Sequence, residues 1–594
     1  LFVADTIPRR LFETARRVPD APAYHVKVGT EWRPTSWATY GAEVRATARA
    51  LIGLGLAPGD TTCILGFNRP EWTIFDLASM AAGGAPAGIY TTSSPSEIQY
   101  IVHHARAPIL LIENAAQWAK VERVRGELPL LRHVVAMRGA GIEADGVLSW
   151  EAFLAAGEGV PDPTVDARVD ALTDDGLATL IYTSGTTGPP KAVMLTHRNL
   201  AWTARTAVEM IHIGPGDTSL SYLPLSHIAE QMFSLHGPVT AGSAIHFAES
   251  MEKVPDNLKE VQPTILFAVP RIWEKFHAGV SGKLAQATGV KAHLARWAMD
   301  VGVRHTTAVG LGQDPGAWLR LQHRIADRLI YSKIKPVLGL SRAKVCVSGA
   351  APVAKEVLTF LAGLDVMVEE VYGQSEDTGP TTFNLPGNTK LGTVGKPIPG
   401  VEVRIAEDGE ILVRGPNVFA GYLHDPVATA ETLVDGWLHS GDLGAFDADG
   451  YLNIVGRKKE ILITAGGKNI APKNIEAALK NHALVAEAVV IGDRRPYLTA
   501  LLQVDVEALA RFAEGKGIPA DAGHAEVRAE LQRAVDACNE QFARVEHVRR
   551  WAVLPRPLGI DTGELTPTLK LKRKVILATF ASEIETMYAG ADQP

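Results

Sequence analysis

The sequence predicts an α/β protein, with a large N-terminal domain of βαβ layers plus a β-rich subdomain and a small α+β C-terminal domain. Three observations carry this reading. Short apolar strands alternate with helical periodicity through more than half of the chain, the pattern of parallel layers. After Gly392 the rhythm changes to short β segments separated by turns. At Arg457–Glu460 a charged stretch precedes a compact tail, which fits a junction between domains of residues 1–458 and 459–594, although the pattern alone does not prove one. At 594 residues the chain also exceeds the size at which one hydrophobic core stops growing.

In chain order, Tyr40–Leu54 is amphipathic, Thr62–Phe67 reads as a strand, Glu71–Ala82 as a helix and Ile109–Ile112 as a strand again. Strands return at Ala178–Thr183, Thr218–Leu223, Ala244–Phe247 and Ile265–Val269. A long helical stretch fills Arg271–Lys344, and within it Trp318–Lys335 carries Leu, Ile and Tyr at helical spacing. Val345–Val347 resumes the strands. From Gly392 to Leu452, turns such as Glu407–Gly409 and Asp447–Gly450 punctuate a β-rich subdomain.

Composition narrows the function classes. With 46% apolar and 21% charged residues the chain is globular, and a net charge of -7 argues against a nucleic-acid partner, which needs a basic face. Cys63, Cys346 and Cys538 are scattered, which fits a reducing compartment and gives neither a disulfide framework nor a zinc site. No apolar run is long enough to span a bilayer, and the arginines near the N-terminus are followed by no signal-peptide core. The expected location is cytoplasmic, with peripheral membrane contact and a homodimer both left open. The chain starts at Leu1 rather than methionine, which leaves room for residues upstream.

The strongest motif follows the strand at Ala178–Ile181. Thr183, Ser184, Gly185, Thr186, Thr187, Gly188, Pro189, Pro190 and Lys191 combine hydroxyls, glycines and a lysine. Such a loop suits a polyphosphate: glycines allow close backbone approach, hydroxyl and N–H groups donate, and lysine supplies charge. A plain Ser/Thr/Gly-rich turn has the same composition. It is not a Walker-type loop, because Pro190 and Ala192 stand where glycine and the magnesium-holding hydroxyl would be.

This segment resembles the phosphate loop of the adenylate-forming superfamily of acyl-CoA synthetases, luciferases and peptide-synthetase adenylation domains. Further motifs follow in that superfamily's order. Ser348–Pro352, with Gly349, Ala350 and Ala351, resembles its adenine-side loop. The run Val371, Tyr372, Gly373, Gln374, Ser375, Glu376 resembles the motif whose tyrosine stacks on adenine and whose glutamate helps hold Mg²⁺. Ser440–Asp442 resembles the ribose-binding segment, and Ile454 with Arg457 leads into the hinge motif, which continues through Gly466 to Pro472. Thr566–Lys570 resembles the C-terminal motif with the catalytic lysine.

The resemblance implies ATP, coenzyme A and a carboxylic acid as substrates, Mg²⁺ as cofactor and a mobile C-terminal domain. It assigns Lys570 and Glu376 as catalytic, Lys459 as the hinge and Gly466 as part of the CoA path. Residue chemistry agrees: Glu376 offers oxygen ligands to a hard cation and Asp442 accepts from a diol. Alone, Glu376 and Asp442 would read as solvated loop acids, and Lys570 as one of a basic run with Lys572, Arg573 and Lys574. Two positions depart from the common pattern: Leu569 stands where glycine often precedes the lysine, and Lys459 where many members have aspartate.

For the acid, Ala268–Phe276 and the helical stretch after it resemble long-chain fatty-acyl-CoA synthetases. Gln374–Gly379 and Gly387–Gly395 resemble the bubblegum-type subgroup. Leu223–Glu230 resembles the mouth of the acyl pocket, which makes His227 a lining residue, although a buried histidine held by its own fold reads the same. Rival readings are an acyl-AMP ligase that loads an acyl-carrier protein, a luciferase-like oxygenase and a non-catalytic lipid-binding relative.

Overall fold

β-Branched and aliphatic runs of four to seven residues form the strands of two large sheets, and the helices between them cover the sheet faces. The computed structural model describes residues 4–183, 189–465, 468–566 and 570–589, without the side chain of Asn469. The expected α/β class holds.

The 8-stranded sheet has parallel neighbours from Leu177–Thr183 through Ala85–Ile89, Thr61–Leu65, Ile109–Ile112 and His133–Ala136 to Val147–Leu148. At its other edge the antiparallel strands Lys191–Thr196 and Gly421–Tyr422 are added. The 9-stranded sheet runs parallel from Pro22–Val28 through Ala244–Phe247, Thr218–Ser221, Ile265–Ala268 and Val345–Ser348 to Val368–Tyr372. Short antiparallel strands close both of its ends.

The helix Pro70–Ala81 lies on the 8-stranded sheet beneath the helices Ile7–Arg17, Trp37–Gly53 and Asp162–Asp170 and is buried at every position, with Trp72, Ile74 and Phe75 fully enclosed. Each such side chain contributes roughly 1.5–3 kcal/mol of burial free energy. A proline opens this helix at its first turn, where no N–H is needed. Helix Pro95–His104 starts on a capping box between Ser94 and Glu97, and His197–Met210 on one between Thr196 and Asn199.

The β-rich part is narrower than its sequence signal. The antiparallel 5-stranded sheet comprises Glu402–Ile405, Glu410–Arg414, Leu433–Val434, Trp437–Phe446 and Leu452–Arg457. Lys396–Pro397 and Gly421–Tyr422 instead join the two large sheets. After a single 3₁₀ turn at Lys458–Glu460 comes a separate 3-stranded sheet of Val485–Ile491, Leu498–Val504 and Val548–Val553, packed with helices around its own core.

Candidate active site

Functional side chains gather where strands end. Thr183 and Lys191 are partners across an antiparallel hairpin, so both ends of the proposed phosphate loop are fixed by the sheet. Ser184, Gly185, Thr186, Thr187 and Gly188 lie outside the described residues; Pro189 and Lys191 are exposed and Pro190 half-buried. Behind this hairpin, Asn199 on the capped helix donates to the carbonyls of Pro416 and Val418 at 2.8 and 2.9 Å. That tie brings the 416–422 segment across the hairpin, where Tyr422 pairs in register with Val193.

The parallel strands Val345–Ser348 and Val368–Tyr372 end side by side, the usual position of ligand loops in such sheets. Gly349 packs against Val371 and Phe267, and Ala350 takes a left-handed φ of 70° at the exposed turn that also holds Ala351. A Cβ on Gly373 would sit 1.5 Å from the Gly379 carbonyl oxygen, so only glycine fits this crossing.

Asp377, next to the proposed metal ligand, is fully buried. It accepts the Gln374 N–H at 2.7 Å and the Thr381 hydroxyl, and the Gly379 N–H closes on the Gln374 carbonyl at 3.0 Å. Burial pushes its carboxyl well above the usual range. These bonds hold Ser375 inside and leave Glu376 half-buried at the rim of the loop.

Glu376 accepts the Tyr422 hydroxyl at 2.8 Å, and the Phe419 N–H donates to its carbonyl at 2.8 Å. Lys191 Nζ stands 4.7 Å from the centre of the Tyr422 ring, a cation–π contact. One tyrosine thus connects the lysine of the phosphate loop with the proposed metal ligand. A carboxylate anchored through one oxygen, with hydroxyl-rich neighbours and no sulfur, suits Mg²⁺.

On the β-rich side, Asp442 accepts from the Tyr372 hydroxyl at 3.0 Å and from Arg457 Nε at 3.0 Å. Asp442 and Arg457 are also Cα partners of neighbouring strands, and Ile454 lies half-buried three residues before the arginine. Lys458 continues the chain and pairs with Glu410 at 3.0 Å, leaving Lys459 exposed in the 3₁₀ turn.

Lys570 comes from the C-terminal domain and reaches this group. Desolvation in the interdomain cleft lowers its ammonium to about 8; Arg457 and Lys473 add to the shift, while Asp442 and Glu376 oppose it. The residue as a whole remains exposed. His227 lies close enough to feel the Lys570 charge, and burial together with that charge lowers it to about 4, so it is neutral at physiological pH. It also caps a helix, accepting the Ala229 N–H at 3.2 Å. Gly466 lies outside the described residues.

Sequence reasoning singled out Glu376, Asp442, Arg457, Lys191 and Lys570, which the fold brings around one cleft. It missed Tyr422 and Asp377. Asp377 adjoins the glutamate motif and could have been found from its position, whereas nothing local marks Tyr422.

Proteins similar to this chain match it over nearly its whole length. The AMP-binding enzyme family matches residues 11–423, and the AMP-binding enzyme C-terminal domain matches residues 459–592. Long-chain-fatty-acid–CoA ligase FadD15 of Mycobacterium tuberculosis is 37% identical over 595 residues, covering 98% of this chain and 97% of the relative. Human long-chain-fatty-acid–CoA ligase ACSBG1 is 34% identical, covering 98% and 85%. The crystal structure of the anthranilate CoA ligase AuaEII in complex with anthranoyl-AMP superposes with a TM-score of 0.73 at 20% identity, covering 99% of both chains, which shows a shared fold. With both family domains matched in order, over residues 11–423 and 459–592, this chain belongs to the AMP-binding enzymes.

Proposed function

We propose that the protein is an ATP-dependent long-chain fatty acid–CoA ligase that forms acyl-AMP and then acyl-CoA. The observation that supports the active-site reading is that Lys570, from the C-terminal domain, lies within electrostatic reach of Glu376, Asp442 and Arg457. Near-full-length relatives named as long-chain-fatty-acid–CoA ligases support the substrate class.

In the first half-reaction a fatty carboxylate oxygen attacks the α-phosphorus of ATP. The bond to the β-phosphate breaks and pyrophosphate leaves. Thr183 and Lys191, at the ends of the phosphate loop, hold the polyphosphate, and Lys570 as its ammonium neutralises charge between carboxylate and α-phosphate. Asp442, held by Arg457 and Tyr372, accepts from the ribose hydroxyls. Glu376 would hold Mg²⁺, which when bound supplies positive charge to the phosphates. His227, neutral beside Lys570, lines the carboxylate end of the acyl site without adding a second cation.

In the second half-reaction the CoA thiol attacks the acyl carbonyl and AMP leaves. The domain after Lys459 turns to withdraw Lys570 and to present the segment around Gly466 to the pantetheine path.

The test is direct. With ATP, Mg²⁺ and palmitate, the protein should exchange labelled pyrophosphate into ATP and, with free CoA, release palmitoyl-CoA and AMP. Exchange without thioester formation on CoA, but with transfer to a holo-acyl-carrier protein, would overturn the CoA assignment.

A further inference from the structure

The helix Gly316–Ala326 runs through a π-helical turn at Asp327–Tyr331 into the helix Ser332–Leu338. Its inner side is pinned to the protein. Ala326 and Tyr331 are fully buried with Ala298 and Val301, and the Tyr331 hydroxyl donates to the Ala298 carbonyl at 2.5 Å. His323 and Lys335 both bond Asp365, at 2.8 and 2.5 Å. Asp365 and His323 also belong, with His305, to the one His–His–Asp group with metal-like spacing among the described residues, and the Lys335 ion pair takes up one carboxylate oxygen of Asp365.

The outer side is built the opposite way. Trp318 is 70% exposed, Leu321 47%, Ile325 46% and Leu329 39%. Steps of three and four residues place them on one stripe of the helix. Arg324 and Arg328 run beside the stripe, and among the described residues neither forms an ion pair. Arg320, one turn earlier, is held by Asp314. Over residues 316–338 there are five cations (Arg320, Arg324, Arg328, Lys333, Lys335) and one acid, Asp327, in a chain whose net charge is -7. Both the apolar and the cationic surplus are therefore local.

A pinned helix with an unpartnered apolar stripe, an exposed tryptophan and a ridge of unpaired arginines matches the amphipathic helices that lie in a bilayer interface. Tryptophan favours that boundary, having an apolar ring and a polar N–H, and arginines beside the stripe reach anionic headgroups. We propose that this outer face docks the protein on an anionic lipid surface. An apolar protein groove would take the stripe but has no use for the arginine ridge. A second copy of the same face would set one ridge against another, like charge on like. Charge complementarity thus selects the lipid surface.

The experiment is co-sedimentation of the full chain with vesicles of phosphatidylcholine alone and of phosphatidylcholine with about 30% phosphatidylglycerol, since each cation near an anionic surface adds roughly fivefold to partition. Wild type should bind the anionic vesicles far better, and salt should weaken that binding. Arg324→Gln with Arg328→Gln should cost roughly 25-fold on anionic vesicles and little on neutral ones. Leu321→Gln with Ile325→Gln should lower binding to both. All four positions face outward, so circular dichroism and pyrophosphate exchange should match wild type. Absence of wild-type binding, or binding indifferent to both variant pairs, overturns the proposal. So does a wild-type dimer in light scattering that the Leu321/Ile325 variant turns into monomer, because the stripe would then join two copies.

Discussion

In the proposed first half-reaction Lys570 would work only as a cation, and its surroundings set when it is one. With the ammonium lowered to about 8, the charge is present below that pH and is lost as pH rises through it. Pyrophosphate exchange by wild type should therefore fall above about pH 8 in its kcat/KM profile, which reports free-enzyme ionisations. Lys570→Arg should remove that limb, because a guanidinium does not titrate there. Lys570→Ala should slow acyl-adenylate formation by roughly 10²-fold, the scale of one lost transition-state charge contact. Given preformed acyl-AMP and CoA, the same variant should keep most thioester synthesis; equal loss in both assays would contradict the two-conformation scheme. Glu376→Gln keeps the Tyr422 bond but removes negative charge, so the Mg²⁺ concentration for half-maximal rate should rise and kcat should fall. An unchanged magnesium dependence would make Glu376 a loop residue only.

At the scale of elements, the junction between the β-rich sheet and the C-terminal domain is one 3₁₀ turn, Lys458–Glu460. Lys458 is tied back to Asp408 and Glu410 at 2.5 and 3.0 Å, and Arg457 to Asp442 at 3.0 Å. The proposed rotation between half-reactions would therefore fall after these anchors, at Lys459, which is exposed. Across the cleft, Arg271 meets Asp505 at 3.3 Å, a largely exposed pair worth about 0–1 kcal/mol that cannot lock the arrangement by itself. Proline is accommodated in the first turn of a helix but fixes φ near -65°, so Lys459→Pro should hold the present arrangement. Pyrophosphate exchange should stay near wild type while acyl-CoA formation falls roughly tenfold or more, a gating loss. Lys459→Ala, which leaves the backbone free, should be much milder. Loss of both half-reactions in a folded proline variant would misplace the hinge, and loss of neither would remove it.

Across the whole molecule, five buried carboxyls among the described residues, and the half-buried Glu274, have raised pKa values. Burial brings Glu230, Glu369 and Glu370 to about 8 and pushes Asp76 and Asp377 well above the usual range. The folded state then binds more protons than the unfolded state between the ordinary carboxylate range and about pH 8. This stability is fully present at acid pH and is lost as pH rises through about 8. Buried histidines act on the other limb: His197 is lowered to about 4 and His236 to about 3, so their contribution is lost as pH falls below the usual imidazole range. Thermal unfolding should therefore show a maximum in mildly acid solution. In Glu369→Gln with Glu370→Gln, a neutral amide replaces a neutral acid, and the decline toward alkaline pH should be shallower. A decline equal to wild type would mean that both carboxyls are ionised in the folded protein.

Elements whose information is local were legible in the sequence. Ile109–Ile112 and Ala244–Phe247 are strands with the expected bounds, because short apolar β-branched runs between turns have few other uses. The order of motifs from Thr183 to Lys570 placed the chemistry along the chain, since phosphate, ribose and metal each demand particular side chains. Other features depended on contacts between distant segments. The helix Pro70–Ala81 is enclosed on all sides because the helices Ile7–Arg17, Trp37–Gly53 and Asp162–Asp170 pack on it opposite the 8-stranded sheet, which its own periodicity does not encode. The stripe from Trp318 to Leu329 has the spacing of a core face yet points to solvent, because Asp365 and Ala298 hold the opposite side. Tyr422 reaches Glu376 only because its short strand pairs with Lys191–Thr196. Residue type and spacing determine what a segment can become and what chemistry it can perform. Which segments meet, and so which lysine is desolvated and which apolar face is left over, depends on burial and charge summed over the whole chain.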